Sequence, residues 1–436
     1  MLCAVTSSPT RTAHPSVVPL APGYRLTELD DAEDRDAMQD VDGWAFAYEF
    51  APEDEQVAVW TLEPGRSVGV WHDGPRGTSL AAMHSSFAFR VQVPGGEAVP
   101  AAGLTWVGVH PGHRRRGLGR AMLHAHLRRS RERGEVFSVL NAAESGIYGR
   151  YGYGIATHRA TATLGRGAGL RHVPGSEELV VELDTLDAER HSVDVEHVHG
   201  RVERPGWITR DTEALRRVHL LDWPSARRGA ERRRIAVVRG ADGEPRGYAV
   251  FRRSEKWGDE GQPQGTVRVQ DALALDAAAA RALWGALLDL DLMTTVEVRN
   301  LAPDDAVLGL LTDLRGINLR VLDDVWLRIL DVPAALSTRA YLGAVDVVLD
   351  VEDALVPDNT DRWHLRGGPD GVEVTRTDAP AHLALGIADL GAAYLGGTSL
   401  AALAAAGRVR ELEPGTLLPA AAALAWPVAP STGWGF

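Results

Sequence analysis

Cysteine is almost missing from this chain of 436 residues: Cys3 is the only one, so an intramolecular disulfide and a multi-cysteine metal site are both excluded. Lysine is as scarce. Lys256 stands alone among 46 lysines and arginines, so the positive charge is carried by guanidinium groups. Those 46 bases face 59 acids, and the formal charge of −13 argues against nucleic-acid and anionic-membrane partners while favouring cationic small molecules. Long apolar runs are absent too. The longest, residues 417–429, is broken by Pro419 and Pro427 and is too short to span a bilayer. Arg11, His14 and several prolines interrupt residues 1–23 before a signal-peptide core can form, so a cytoplasmic protein is expected. No Gly-x4-Gly-Lys-Ser/Thr occurs, and the run from Gly117 to Met122 lacks the third glycine of a dinucleotide fingerprint.

What is present is organised around residues 104–133. Residues 104–109 are apolar and β-branched, end at His110-Pro111-Gly112, and read as a buried strand. Leu118, Ala121, Met122 and Ala125 then recur at helical spacing. Between strand and helix lies the turn Arg114-Arg115-Arg116-Gly117-Leu118-Gly119-Arg120. Amides at a helix start have no partner within the helix, and the peptide dipoles leave partial positive charge there. Glycines let an anion approach the backbone and arginines add formal charge, so the turn suits a phosphate.

Arg114-x-x-Gly117-x-Gly119, between a strand and a helix, resembles the pyrophosphate loop of the GNAT superfamily of N-acetyltransferases. The resemblance implies acetyl-CoA as cosubstrate, with no metal. The backbone of Val107, Gly108 and Val109 would pair with the pantetheine arm, and Arg115, Arg116, Gly117, Leu118, Gly119 and Arg120 would cradle the pyrophosphate. A second cluster, Ile147-Tyr148-Gly149-Arg150-Tyr151-Gly152-Tyr153-Gly154, follows a strand at residues 136–141. A phenol beside a bound thioester can protonate a departing thiolate, although three tyrosines can equally be aromatic packing. Together the two stretches resemble the enhanced intracellular survival (Eis) family. That family implies Tyr148 as general acid, Ala143 and Glu144 lining the CoA site, the α-carboxylate of a final phenylalanine, here Phe436, as general base, and assembly as hexamers.

The rest of the chain is divided accordingly. Residues 1–22 read as a disordered lead-in, 23–165 as the acetyl-CoA-binding GNAT domain, 166–320 as a degenerate second copy shaping the substrate pocket, and 321–436 as a sterol-carrier-like α+β domain carrying the C-terminus. An acidic helix start is expected at residues 30–34, and a second helix with an aromatic face through Trp44, Phe46, Tyr48 and Phe50. Glu49, within it, is a candidate substrate-facing acid. The second copy repeats strand, helix and strand, its helix capped by Asp276, without the phosphate-loop glycines. Residues 398–410 read as an alanine-rich helix. The two glycines of the final Gly433-Trp434-Gly435-Phe436 would let the tail bend and anchor itself by its aromatics. The leading expectation is direct acetyl transfer to primary amines of cationic small molecules such as aminoglycosides. Transfer to protein or peptide lysines, and non-catalytic binding of CoA or lipid, are the alternatives.

Overall fold

The computed structural model describes residues 18–436 apart from Asp31, Phe50, Arg76 and Glu97. Cys3, most of the expected lead-in, one acid of the expected helix start and the last ring of the expected aromatic face lie outside the described residues. No described helix is long and apolar enough to cross a membrane.

The N-terminal unit contributes strands β1 (Tyr24–Glu28), β2 (Val68–Gly74), β3 (Gly77–Gln92), β4 (Ala98–Val109), β5 (Phe137–Asn141) and β6 (Gly154–Ile155). Its helices are α1 (Arg35–Phe46), α2 (Pro52–Glu55), α3 (Leu118–Glu132) and α4 (Ser145–Tyr148). The middle unit supplies β7 (His158–Gly165), β8 (Val180–Thr185), β9 (Arg234–Arg239), β10 (Pro245–Ser254), β11 (Gly265–Ala274), β12 (Met293–Leu301) and β13 (Arg320–Asp323). With it come helices α5 (Ala188–His199), α6 (Glu213–Leu220) and α7 (Ala277–Leu288). After β14 (Val325–Ile329), the last unit forms a smaller sheet of β15 (Val345–Glu352), β16 (Asp361–Gly368), β17 (Gly371–Arg376), β18 (Leu383–Gly386) and β19 (Val409–Glu411).

The first sheet has the order β1-β2-β3-β4-β5-β14-β6 and the second β13-β7-β12-β11-β10-β9-β8, so the units exchange strands. The sequence-based boundaries at 165/166 and 320/321 cut through this exchange. β7, counted with the N-terminal unit, pairs with β12 and β13 in the second sheet. β14, counted with the last unit, lies between β5 and β6 of the first. All five β14 residues are buried, as a strand covered on both faces requires. In each large sheet a helix connects two parallel strands: β4-α3-β5 and β11-α7-β12. Leu118, Ala121, Met122 and Ala125 are the buried stripe of α3, and Asp276 caps α7 by accepting from the Ala279 amide at 2.9 Å.

Two local expectations change. Trp44 and Phe46 belong to α1, and Ala47 turns left-handed (φ 58°) to end it, so Tyr48 and Glu49 lie in the following loop. The helix expected over 398–410 stops at Ala405, and its last residues form β19 against β18. An alanine-rich stretch favours helix locally, but the sheet edge takes Val409 into the core.

Candidate active site

β4 and β5 start as a parallel pair at Ala101–Phe137, Ala102–Ser138 and Gly103–Val139, and then part company. β4 continues to Val109, whereas β5 turns to β14. The β4 backbone from Leu104 onward therefore has no strand neighbour on its β5 side, and an extended ligand bearing amides can take that place. On the other side the β3–β4 ladder is interrupted by a bulge. Trp106 and Val107 oppose the single residue His84, and Trp106 is held at φ 54°. Such an extra residue rotates the strand's peptide groups out of the ladder beside the widening gap.

At the C-terminal end of β4 stands the start of α3. Gly117 precedes the helix at φ 80°, a conformation costly for residues with a Cβ, and Arg115 two residues earlier is left-handed as well (φ 61°). Among the described residues, the amides from Arg115 through Arg120 donate to no protein acceptor, the first closing bond being Ala121 N–H to Gly117 O at 3.0 Å. This row of free donors at the positive end of a helix is an anion nest. Leu118 anchors it by being buried, and Arg115 and Arg120 are exposed. Arg116 is tied back, donating to Tyr24 Oη at 2.5 Å, and that hydroxyl also meets His113 Nδ1 at 2.8 Å. The equivalent place in the second sheet carries the Asp276 carboxylate on its own helix start, where it repels a phosphate.

Across the gap, β5 leads through Ala142 to the exposed Ala143 and Glu144 and into α4, which ends at Tyr148. Tyr148 and Val107 pack against the same cluster, built on Leu104, Leu140, Tyr153 and Trp326, so β4 and the phenol meet over one floor. The rings of Tyr148 and Tyr153 stand edge to face at 5.9 Å. The Tyr148 hydroxyl has no hydrogen bond among the described residues. Burial first, then the charge of Glu144, pushes its pKa up to about 12. Tyr153, by contrast, is committed to Ser138 Oγ at 2.7 Å, which in turn bonds His126.

The C-terminal tail enters from the side of the middle unit. Gly433 turns at φ 63°, and a Cβ there would lie 2.0 Å from the ring of Trp207, so only glycine fits this bend. Phe436 packs edge-on to Phe89 at 4.8 Å, Trp434 to Phe89 at 5.4 Å, and the Phe436 amide donates to Asn141 Oδ1 at 3.3 Å. Asn141 ends β5, so the tail's last residue sits where the two strands separate. There it lines a cavity of about 1120 Å³ together with Trp106, Asn141, Asp324 and residues of the middle unit. Glu49 lines the same cavity from the opposite loop. Sequence reasoning missed Asn141, Asp324 and the His219–Asp271 pair on the cavity wall. His219 Nε2 lies 3.1 Å from Asp271 Oδ2, which also accepts from Tyr248 at 2.6 Å. Nothing local marks them, because they are single polar residues whose partners lie far away in the chain.

The fold and this strand–nest–helix geometry define an acetyltransferase of the GNAT superfamily, and the comparisons agree. Acetyltransferase (GNAT) domain families match residues 28–156 and 206–329, and the Sterol carrier protein domain family matches 332–433. The chain is 44% identical over 395 residues to an N-acetyltransferase of Streptomyces avermitilis, covering 88% of this chain and 93% of that one. It is 33% identical over 392 residues to N-acetyltransferase Eis of Mycobacterium tuberculosis, covering 88% and 92%. The crystal structure of Eis1 from Mycobacterium abscessus superposes with a TM-score of 0.79 at 31% identity, over 95% of this chain and 100% of that one. The chain thus belongs to the Eis family of N-acetyltransferases and is an N-acetyltransferase whose GNAT domains imply acetyl-CoA as acetyl donor.

Proposed function

We propose that the protein transfers the acetyl group of acetyl-CoA directly to a primary amine of a small molecule held in the cavity that ends at Phe436. The observation that carries this reading is the parting of β4 and β5 between the nest of α3 and that cavity. The pantetheine arm lies along Val107, Gly108 and Val109, the pyrophosphate on the amides of Arg115 through Arg120, and Ala143 and Glu144 border the cofactor from β5. The acceptor ammonium loses its proton to the α-carboxylate of Phe436, directly or through a water. The free amine attacks the thioester carbonyl, the C–S bond breaks, and Tyr148 donates toward the sulfur. No covalent enzyme intermediate is needed.

A volume of about 1120 Å³ accommodates a drug-sized acceptor whole, which favours a small molecule over a lysine on a protein surface. Aminoglycosides are the acceptors the family resemblance implies, and Glu49 is the first-unit acid that would meet their ammonium groups. A cytoplasmic homohexamer completes the proposal, and light scattering tests the assembly. For the chemistry, thiol release from acetyl-CoA is followed with and without an amine for the native protein and for one extended by several residues beyond Phe436. Amine-dependent release that the extension suppresses is expected. Release indifferent to the amine, or to the extension, refutes the transfer or the assigned base respectively.

A further inference from the structure

Acetyl transfer as written above leaves one polar part of the cavity wall unused, the pair His219 and Asp271. His219 lies in the last turn of α6 and Asp271 in β11, and both line the cavity while being only 6% exposed. Burial opposes ionisation of Asp271, but donation from His219 at 3.1 Å and from Tyr248 at 2.6 Å, with the charge of Arg210, holds its carboxyl below the usual carboxylate range. An ionised carboxylate only accepts, so the nitrogen that faces it, His219 Nε2, carries the ring proton. Burial first, then the charge of Arg210, keeps the His219 pKa below 6.5. At neutral pH the ring is therefore uncharged, and Nδ1 holds a lone pair. Among the described residues Nδ1 has no hydrogen-bond partner, and protein does not seal it off from the cavity.

The charges behind the ring are matched among themselves. Arg210 pairs with Glu196 at 3.1 Å, and Arg233, which gives Nη1 to the His219 carbonyl at 3.1 Å, is acted on by Asp222 and Asp271. The cavity thus meets an acceptor nitrogen whose tautomer and direction are fixed by a buried carboxylate. An N–H donor fits it, and a charged one gains most, because its hydrogen bond is charge-assisted. Trp434 separates this nitrogen from the C-terminal carboxylate along the wall: its ring stands 6.4 Å from His219 and 6.0 Å from Phe436. We propose that His219, held by Asp271, receives a second ammonium group of the acceptor, remote from the amine that is acetylated, and so selects diamines and polyamines over monoamines. This rests on the transferase reading above and deepens it. Phe436 serves the reacting end of the acceptor, and His219 fixes the other.

The test compares 1,8-diaminooctane with octylamine, equal in chain length and different only at the far end. Thiol release is measured at saturating acetyl-CoA and neutral pH for the full-length protein and two variants. His219→Gln keeps an N–H for Asp271 but lacks the imidazole Nδ1, and Asp271→Asn keeps the shape but removes the charge that orients the ring. The native protein is expected to favour the diamine about ten-fold in kcat/KM, chiefly through KM, as one charge-assisted hydrogen bond provides. Each substitution is expected to shrink that preference several-fold, whereas a general loss of folded protein lowers both rates alike. A native protein indifferent to the far ammonium overturns the assignment of His219 alone. So does a preference that either substitution leaves unchanged. No amine-dependent release with either acceptor overturns the transferase reading itself.

Discussion

Replacing Tyr148 by phenylalanine isolates what its hydroxyl contributes. The hydroxyl has no hydrogen bond among the described residues, so its loss should move stability by less than about 0.5 kcal/mol. The effect on rate follows from the raised pKa. With the phenol near about 12 and a thiol near about 8.5, handing a full proton to a free thiolate is uphill by about 5 kcal/mol. On the proposed mechanism Tyr148 would therefore serve the leaving sulfur mainly as a hydrogen-bond donor, its proton moving only as the one from the acceptor nitrogen becomes available. A hydrogen bond to a charged group contributes about 1.5–3 kcal/mol, so kcat should fall about 10- to 150-fold, with KM for acetyl-CoA little changed. Complete general-acid catalysis would instead forfeit up to about 10⁴-fold. Thiol-release kinetics at saturating substrates, with the urea midpoint as a fold control, measures the difference. A kcat within three-fold of the native value removes Tyr148 from the reaction. A loss near 10⁴-fold shows that the phenol transfers its proton outright and that burial does not govern its acidity as argued.

Three further outcomes test the surroundings. Gly117→Val forces a β-branched residue into a left-handed conformation at the mouth of the nest, at about 1–2 kcal/mol. KM for acetyl-CoA should rise about ten-fold with kcat retained, and calorimetric binding equal to that of the native protein would disprove the nest. Asp353→Ala strands the fully buried Arg328, which holds both Asp353 oxygens at 2.7 Å and the Tyr151 carbonyl at 2.8 Å. A loss of about 3–5 kcal/mol in urea unfolding is expected, and an unchanged midpoint would show the pair to be dispensable. His84 and His199 are held neutral by burial, with pKa values lowered from 6.5 to about 3. Their folded pKa lies below the unfolded one, so the unfolded chain binds more protons and stability falls as the pH drops below 6.5. Between pH 7 and 5 the two should together cost about 4 kcal/mol, and equal urea midpoints at both pH values would contradict this.

The strand, turn and helix of the candidate phosphate-binding half were legible because they are local. The strand at 104–109, the turn with Gly117 and Gly119 and the stripe Leu118, Ala121, Met122 and Ala125 lie within a few turns of chain, and propensity, periodicity and spacing all point to one structure. The acceptor half was not. Asn141 meets Phe436 across 295 positions and Thr157 meets Asp324 across 167, and no pattern along the sequence encodes such pairs. The bulge at Trp106 was equally hidden, since an apolar strand residue gives no sign of a positive φ.

The exchange of β7 and β14 explains why the acceptor half needs the entire chain. β14 completes the first sheet only after the chain has built the second, and its neighbour β5 presents Asn141 to the tail. The tail reaches Asn141 only by crossing the middle unit, where the Ile208 amide donates to the Thr432 carbonyl at 3.3 Å and Gly433 fits against Trp207. Each unit therefore fixes a part that another uses: the first holds the row of free amides and Tyr148, the second lines the cavity with His219 and Asp271, and the last delivers Phe436. A site assembled this way has walls of different chemistry, because each wall belongs to a separate fold with its own residues to spare. It follows that changes in donor binding should map to the first unit, and changes in acceptor preference to every unit that lines the cavity, Glu49 of the first among them.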